Sequence, residues 1–181
     1  VPPGTTEGVF RETFMATNVP EHLYTLGFIP EFLREGSAIA DFQNPTRFII
    51  GVRRPDEASV FLQLRPELAH LAHVVPVEVA EMLKIVENSW HAVKITFANE
   101  ISRICEPIAV DASLVMNLLT LDTRQNVSAT YMRPGFAYGG SCLPKDLRSL
   151  NHLAASRDIN VPMLSHTALS NEVHIERALQ K

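Results

Sequence analysis

Residues 77–109 have the sequence VEVAEMLKIVENSWHAVKITFANEISRICEPIA, with no glycine and only one proline, Pro107, near its end. Because no helix-breaking residue interrupts it earlier, we predict one long helix over this stretch. A helix of about 30 residues would be about 45 Å long, more than a small domain needs internally. Long helices of this kind often form subunit interfaces. The stretch therefore predicts a mostly α-helical domain that forms a homodimer or a larger homo-oligomer along this helix.

The residues before this helix have a mixed pattern. Residues 47–52 are the best strand candidate, residues 26–29 form a short apolar stretch, and residues 74–76 are predicted to be extended. Between the first two candidates, residues 30–36 predict a helical turn that a proline opens and a glycine closes. Strand, short helix and strand in this order are typical of the end of an α/β layer.

Helix caps and breaks divide the rest of the chain. Thr5 or Thr6 is expected to cap a short helix over residues 9–15, and Asp111 to cap another. Three helices are predicted after the long one, at residues 112–121, 144–155 and 164–181. We therefore expect two domains: the C-terminal part of a Rossmann-type α/β domain over residues 1–75, and a central helical domain over residues 76–181.

Composition excludes several classes of protein. The chain has 181 residues, a net charge of −4 and no basic cluster, which argues against binding to nucleic acid. No apolar run is long enough to cross a membrane, and no signal peptide is visible at the start. Two cysteines indicate a reducing, cytoplasmic compartment, and the histidine and cysteine spacings predict no metal site. Since the chain starts without Met and within a turn, we expect it to be part of a longer protein.

The residues with the strongest chemical signal are 135–146, GFAYGGSCLPKD. Three glycines allow close approach of a ligand, and Pro144 suits the first turn of a helix. Cys142 would then lie at or beside the helix N-cap, where the helix dipole and Lys145 favour the nucleophilic thiolate. The alternative is a buried cysteine in a glycine-rich turn. Cys105, within the long helix, is instead predicted to be a small core residue.

Polar side chains also follow one side of the long helix. Glu81, Lys84, Asn88 and His91 fall within an arc of about 80° at about 100° per residue. The opposite side carries Met82, Val86, Trp90, Val93 and Phe97. An amphipathic helix with a solvated polar stripe explains this pattern, and so does a site in which Lys84 and Asn88 face a substrate oxygen. Periodicity does not choose between the two.

Two further clusters fit either a site or a charged surface. Glu31 and Glu35 are one helical turn apart and could position or activate a water molecule. Tyr131 and Arg133 offer an aromatic ring and a cation that suit a sugar or a phosphate.

Together these segments resemble the UDP-glucose/GDP-mannose dehydrogenase family. The matching pieces are residues 1–5 (VPPGT), 30–39 (PEFLREGSAI), 78–84 (EVAEMLK) with Asn88, 97–101 (FANEI) and 139–146 (GGSCLPKD). They lie in the order and spacing of the family and cover nearly the whole chain, and the last motif is highly specific. The family implies a Rossmann domain that binds NAD, a central helical domain that dimerises and a C-terminal nucleotide-binding domain. This chain would hold the end of the first and all of the second, without a G-x-G-x-x-G motif.

The resemblance implies an NAD-dependent oxidation of the C6 alcohol of a nucleotide-linked hexose to a carboxylate. Cys142 would form a thiohemiacetal and then a thioester. Lys84 and Asn88 would stabilise the oxyanion at C6, Asp146 would assist proton transfer, and Glu31 or Glu35 would activate the hydrolytic water. Glu35 and Lys145 would also lie near NAD. The substrate-binding residues implied are Phe32, Leu33, Arg34, Asn126, Tyr131, Arg133 and Gly139.

Two questions stay open at this point. Residues 90–100 and 131–136 look most like the family members that act on GDP-mannose, and the members that act on UDP-sugars are the alternative. A helical dimerisation module without chemistry of its own is the alternative from another class. Because the dinucleotide motif is absent, we expect the 181 residues alone to be inactive.

Overall fold

The computed structural model describes residues 1–34, 36–128 and 136–180, apart from the side chain of Asp146. Its helices are α1 (Arg11–Ala16), α2 (Ala38–Gln43), α3 (Ala58–Leu62), α4 (Val77–Cys105), α5 (Ala112–Thr120), α6 (Cys142–Ala155) and α7 (Pro162–Leu179). Its strands are β1 (Gly27–Phe28), β2 (Phe48–Val52) and β3 (Ala72–Pro76). The predicted fold class, mostly α with the end of an α/β layer in front, is confirmed. No helix in the described ranges is both long and apolar enough to span a bilayer.

The sheet has three strands in the order β1–β2–β3, with β2 in the centre. β1 pairs antiparallel with β2, and β3 pairs parallel with it, in a register that places Ile50 opposite Val74. Every residue of β2 is buried, as expected for a central strand covered by helices. α4 packs very closely on this strand, since a Cβ added to Gly51 would lie 2.6 Å from the Ala80 Cβ.

The helical turn predicted over residues 30–36 is wrong. Residues 30–34 form no helix, and α2 begins only at Ala38, after Gly36 with a φ of +85°. The reason is that side-chain carboxylates accept hydrogen bonds from the backbone N–H groups of this segment. The Glu31 carboxylate accepts the Leu33 N–H, and the Asp41 carboxylate accepts the Arg34 N–H at 3.0 Å. Such side-chain bonds compete with helical ones.

The first helical segment is not capped as predicted. A π-helical turn over Thr6–Phe10 leads into α1, and neither threonine caps it with its side chain. Thr5 Oγ1 donates to the Pro2 carbonyl at 2.6 Å, and Thr6 Oγ1 donates to Glu81 on α4 at 2.6 Å. The cap comes from a residue far away in sequence.

α4 is the long helix that the sequence predicts, with 29 residues. It ends four residues earlier than expected, at Cys105, where a 3₁₀ turn over Glu106–Ile108 takes up Pro107 and Ala109 adopts a left-handed φ of +55°. The predicted Asp111 cap is confirmed: its side chain accepts the Leu114 N–H at 3.0 Å.

The chain divides into two compact units, Val1–His91 and Ala92–Lys181, and the division falls within α4. The core of the second unit consists of Ile101, Ile104, Cys105, Ala154, Val161 and Leu164. Cys105 is 7% exposed, which confirms its prediction as a core residue. Phe97, on the predicted apolar side of α4, is partly buried against this core.

A buried glutamate fixes α7 to α4 in the second unit. Glu100 is fully buried and accepts the N–H groups of Met163 and Leu164 at 2.9 and 3.0 Å. These are N–H groups of the first turn of α7, which have no partner within the helix. Glu100 therefore caps α7, and Arg103 Nη2 lies 3.4 Å from its carboxylate.

Candidate active site

Lys84 and Glu31 lie close together in the first unit although they are far apart in sequence. Lys84 Nζ lies 3.4 Å from Glu31 Oε2 and 5.7 Å from the centroid of the Phe32 ring. The Lys84 side chain is only 24% exposed, whereas Asn88, one turn later on α4, is exposed. The structure thus brings together Glu31, Phe32 and Lys84, three of the residues predicted for the site.

Arg47 and Glu87 complete this cluster, and neither residue was among those predicted for the site. The Arg47 guanidinium carbon lies 4.3 Å from the centroid of the Phe32 ring, and its Nη2 pairs with Glu87 Oε2. A guanidinium over an aromatic face is a favourable contact. It keeps the Phe32 ring beside α4, and with it the neighbouring Glu31. Opposite charges 40 positions apart leave no local pattern from which this pair could have been predicted.

Glu81 departs from the predicted polar stripe. It is fully buried, and its carboxylate accepts the Gly4 N–H at 2.6 Å and the Thr6 N–H at 2.9 Å, besides the Thr6 hydroxyl. A buried carboxylate needs such donors to offset the loss of hydration. Glu81 therefore connects the N-terminal loop to α4, one turn before Lys84. A solvated stripe is the wrong interpretation at this position.

Arg34 makes a paired contact with Asp41 on α2. Its Nη2 donates to Asp41 Oδ1 at 2.7 Å and its Nε donates to Oδ2 at 3.0 Å. The Arg34 guanidinium, together with the Ser37 hydroxyl and the Arg34 N–H, holds the pKa of Asp41 well below its usual range. This contact fixes the end of the segment that carries Glu31.

Cys142 lies in the second unit, as the first residue of α6, and it is exposed. The preceding Ser141 does not cap the helix with its side chain, and its Oγ lies 3.8 Å from Cys142 Sγ. The predicted position of the thiol at the start of a helix is confirmed. Cys142 therefore lies at the positive end of the α6 dipole.

The remaining residues predicted for the site are exposed or lie outside the described residues. Asn126 is exposed and donates from Nδ2 to the Leu119 carbonyl at 3.3 Å. Gly139, Lys145 and Leu33 are exposed. Glu35, Tyr131 and Arg133, together with the side chain of Asp146, lie outside the described residues.

A cleft lies beside the loop that leads to Cys142. It has a volume of about 480 Å³ and is lined by residues 136–138 and by one side of α7. Phe136, Tyr138, His174 and Arg177 are among its lining residues. Aromatic rings and basic side chains in one cleft suit a base, a sugar or a phosphate. The contribution of α7 to this cleft was not predicted, because no local pattern in the sequence of that helix indicates it.

Comparisons with known proteins give the family. Residues 78–173 match the central domain of the UDP-glucose/GDP-mannose dehydrogenase family, and residues 1–68 match its NAD binding domain. The expectation of NAD is therefore confirmed at the level of the family. The crystal structure of a ternary complex of GDP-mannose dehydrogenase from Pseudomonas aeruginosa aligns with a TM-score of 0.90 and 40% identity, over 98% of this chain and 41% of that one.

Curated relatives agree with this match. A GDP-mannose 6-dehydrogenase of Pseudomonas putida is 45% identical over 83% of this chain and 34% of its own length. A putative UDP-glucose 6-dehydrogenase of Bacillus subtilis is 33% identical over 100% of this chain and 42% of its own length. The chain thus spans between about a third and two fifths of the length of these relatives. It belongs to the UDP-glucose/GDP-mannose dehydrogenase family.

Proposed function

We propose that the protein of which this chain forms a part oxidises a nucleotide-linked hexose at C6 to the uronate, with NAD⁺ as the oxidant and GDP-mannose as the substrate. One observation supports this chemistry more than any other. Lys84 and Glu31 lie 3.4 Å apart, with Asn88 on the next turn of α4. A cation, a carboxylate and an amide at one place can stabilise an oxyanion and activate water.

Lys84 has the main electrostatic role in this proposal. A cation beside the C6 oxygen stabilises the negative charge that develops there when the alcohol loses its proton. The Asn88 amide N–H groups donate to the same oxygen. Glu31, which forms an ion pair with Lys84 here, orders the water for the final hydrolysis, and Glu35 shares that role. Both steps use charges that the fold already holds in position.

Cys142 acts as the covalent nucleophile. Its thiolate adds to the C6 carbon of the aldehyde, and the resulting oxyanion takes a proton to give a thiohemiacetal. Loss of that proton and of a hydride from C6 leaves a thioester. Water then adds to the thioester carbon, the C–S bond breaks, and the carboxylate and the thiolate are released. Asp146, one turn after Cys142 on α6, moves the protons.

The described residues do not build a dinucleotide cradle. The Rossmann fingerprint needs a glycine-rich turn between a strand and a helix, and β2 is followed by Arg53-Arg54-Pro55 without a glycine. NAD⁺ supplies the hydride acceptor when it is bound. We propose that most of its contacts come from residues beyond this sequence, and that Glu35 and Lys145 contribute the rest. The 181 residues alone are therefore expected to produce no NADH from any sugar nucleotide.

Further residues are proposed to contact the substrate. Phe32, Leu33 and Arg34 follow Glu31 directly, and Gly139 lies three residues before Cys142. Asn126, Tyr131 and Arg133 are proposed for the nucleotide part. The cleft beside residues 136–138 has the size and the polarity to receive a portion of the same ligand.

We assign GDP-mannose rather than a UDP-sugar as the substrate because of the sequence identities to the relatives. The GDP-mannose 6-dehydrogenase of P. putida is 45% identical, against 33% for the putative UDP-glucose enzyme of B. subtilis. The test is an NADH assay of the whole protein with a panel of GDP- and UDP-hexoses. Turnover of GDP-mannose at least about tenfold above UDP-glucose is expected, which corresponds to about 1.4 kcal/mol of discrimination. A preference for a UDP-sugar would contradict the assignment.

Substitution of the two cysteines tests the covalent step. Cys142→Ser is expected to bind the sugar nucleotide and NAD⁺ normally but to lose production of the acid, because a serine alkoxide is far harder to form than a thiolate. Cys105→Ser is the matched control, since this buried cysteine packs in the core and its loss affects only stability. Normal uronate production by Cys142→Ser would refute the mechanism.

We also propose that the protein forms a dimer along α4. Met82, Val86, Trp90 and Val93 are between 40% and 52% exposed in the single chain. Apolar patches of this kind on a monomer commonly mark an interface. The same patch is what favours the alternative function, a dimerisation module without chemistry. A module of that kind would make no NADH in the whole protein, whereas the proposed enzyme would.

A further inference from the structure

Asn171 on α7 makes a paired contact with the main chain of Tyr138. Its Oδ1 accepts the Tyr138 N–H at 2.9 Å, and its Nδ2 donates to the Tyr138 carbonyl at 2.9 Å. A primary amide offers an acceptor and a donor side by side, so one side chain satisfies both polar groups of one residue. Both bonds are partly buried, which limits competition from water.

α7 is a rigid base for this contact. Its first turn is capped by the buried Glu100, and Leu164 lies in the core of the second unit at 4% exposure. Asn171 follows Leu164 by seven residues, which is about two helical turns and leads back to the same face of the helix. The amide therefore extends the packed face of α7 to the loop beside it.

The loop between Tyr138 and Cys142 has few other constraints. It contains Gly139 and Gly140, and a Cβ added to either glycine would meet nothing within 4 Å. Gly140 has a φ of +79°, which a glycine adopts at little cost. Ser141 does not cap α6 with its side chain. Two adjacent glycines have much conformational freedom to lose when they are ordered. Because they do not fix the path of the chain by themselves, the fixed backbone of Tyr138 determines the path from residue 138 to Cys142.

We infer that Asn171 is a positioning residue for Cys142. By fixing the backbone of Tyr138 it determines the path of the short glycine segment, and so the place and direction of the thiol relative to C6 of the substrate. This inference rests on the proposed role of Cys142 as the nucleophile. Asn171 contacts the backbone of Tyr138 and takes no part itself in bond making or breaking at C6. It acts on the step that needs the thiol, and the first oxidation of the alcohol does not depend on it.

The matched control is Asn151 on α6. Its side chain is partly buried as well, and its Nδ2 donates to the carbonyls of Leu147 and Leu164 at 3.0 and 3.3 Å. Asn151 thus makes two main-chain hydrogen bonds in the same unit, and neither of them is to the loop before Cys142. Asn171→Leu and Asn151→Leu each remove two such contacts while keeping a similar volume. Asn171→Asp keeps the acceptor for the Tyr138 N–H and loses the donor.

The test uses the whole enzyme with GDP-mannose and NAD⁺. Single-turnover kinetics follow the first and the second hydride transfer separately, and hydrogen exchange follows residues 137–142. For Asn171→Leu we expect the second transfer to slow about 100-fold, the scale of a misplacement of about 1 Å. The first transfer should stay within about threefold of the wild-type rate, and the Tyr138 N–H should exchange faster. Asn171→Asp should slow the second transfer less. Asn151→Leu should lower the Tm and leave both transfers unchanged.

Two results would overturn the inference. The first is a second transfer at the wild-type rate in a folded Asn171→Leu or Asn171→Asp enzyme. The second is an equal slowing of both transfers in the Asn171 and Asn151 variants, which would make Asn171 a purely structural residue. Cys142→Ser distinguishes a failure of the proposed function from a failure of the positioning role of Asn171. If that variant still makes the acid, the proposed function fails, whereas its inactivity beside a normal Asn171→Leu enzyme refutes the positioning role alone.

Discussion

Replacement of Glu81 by glutamine should loosen the N-terminal loop where it meets α4. The carboxylate accepts three bonds, from the Gly4 N–H at 2.6 Å, the Thr6 N–H at 2.9 Å and the Thr6 hydroxyl at 2.6 Å. A glutamine can turn its single oxygen towards Thr6 and keep two of these bonds. Its NH₂ group then faces the Gly4 N–H, so that two donors oppose each other.

The magnitude follows from the type of bond. Hydrogen bonds to a charged group contribute about 1.5–3 kcal/mol and neutral ones about 1 kcal/mol. Loss of the Gly4 bond and weakening of the two Thr6 bonds sum to about 4 kcal/mol. The lower cost of burying an amide offsets part of this, which leaves about 3 kcal/mol. Under exchange controlled by local opening, this corresponds to roughly 100-fold faster exchange of the Gly4 and Thr6 amides.

Hydrogen exchange of residues 4–10, followed by mass spectrometry, measures the effect directly. Glu78→Gln is the matched control because Glu78 is exposed on the preceding turn of the same helix; it should change exchange by less than about threefold. Protection of Gly4 and Thr6 in Glu81→Gln equal to that in the Glu78→Gln control would refute the assignment of Glu81 as a buried cap.

Three shorter predictions concern stability, pH and assembly. Gly51→Ala should destabilise the folded protein by about 3 kcal/mol in thermal unfolding, since its Cβ would lie 2.6 Å from the Ala80 Cβ on α4. Gly8→Ala is the control and should leave the stability unchanged, because its Cβ would meet nothing within 4 Å. Equal effects of the two substitutions would contradict the close packing of α4 on β2. The contact with Arg34 lowers the pKa of the Asp41 carboxyl. The contact therefore stabilises the fold fully above about pH 4, the ordinary pKa of an aspartate, and this stabilisation is lost as the pH falls further and the carboxyl takes up a proton. Asp41→Asn should remove this acid dependence from exchange of residues 36–44, and an unchanged profile would count against it. Trp90→Glu should shift the protein from dimer to monomer in light scattering at tens of micromolar. A monomeric wild-type protein at the same concentration would refute the proposed interface along α4.

The sequence predicts features that depend on local pattern. α4 follows from a stretch without glycine, and the Asp111 cap from a single residue before an apolar run. Cys142 at the start of α6 follows from the proline two positions later. In each case the information lies within one or two helical turns, where side-chain type and spacing control the backbone directly.

Other features depend on partners that come together only in the folded chain. Glu81 has the spacing of a solvated residue, and only the loop that covers it makes it a buried one. Arg47 and Glu87 pair across 40 positions. Residues 30–36 begin with a proline and end with a glycine, as many helices do. The carboxylates of Glu31 and Asp41 nevertheless accept backbone N–H groups of this segment. Tertiary contacts outweigh local propensity at such positions.

The two buried glutamates of α4 also bear on the order in which the chain folds. The helical segment that starts at Thr6 and α7 both lack a side-chain cap of their own. Their caps close loops of 77 and 64 residues, from Gly4 to Glu81 and from Leu164 to Glu100. Closing such loops carries an entropic cost before any contact repays it. Both helices should therefore mature late, after α4 has formed, and φ-values near their first turns should be close to zero. During synthesis the first of them waits until α4 has left the ribosome.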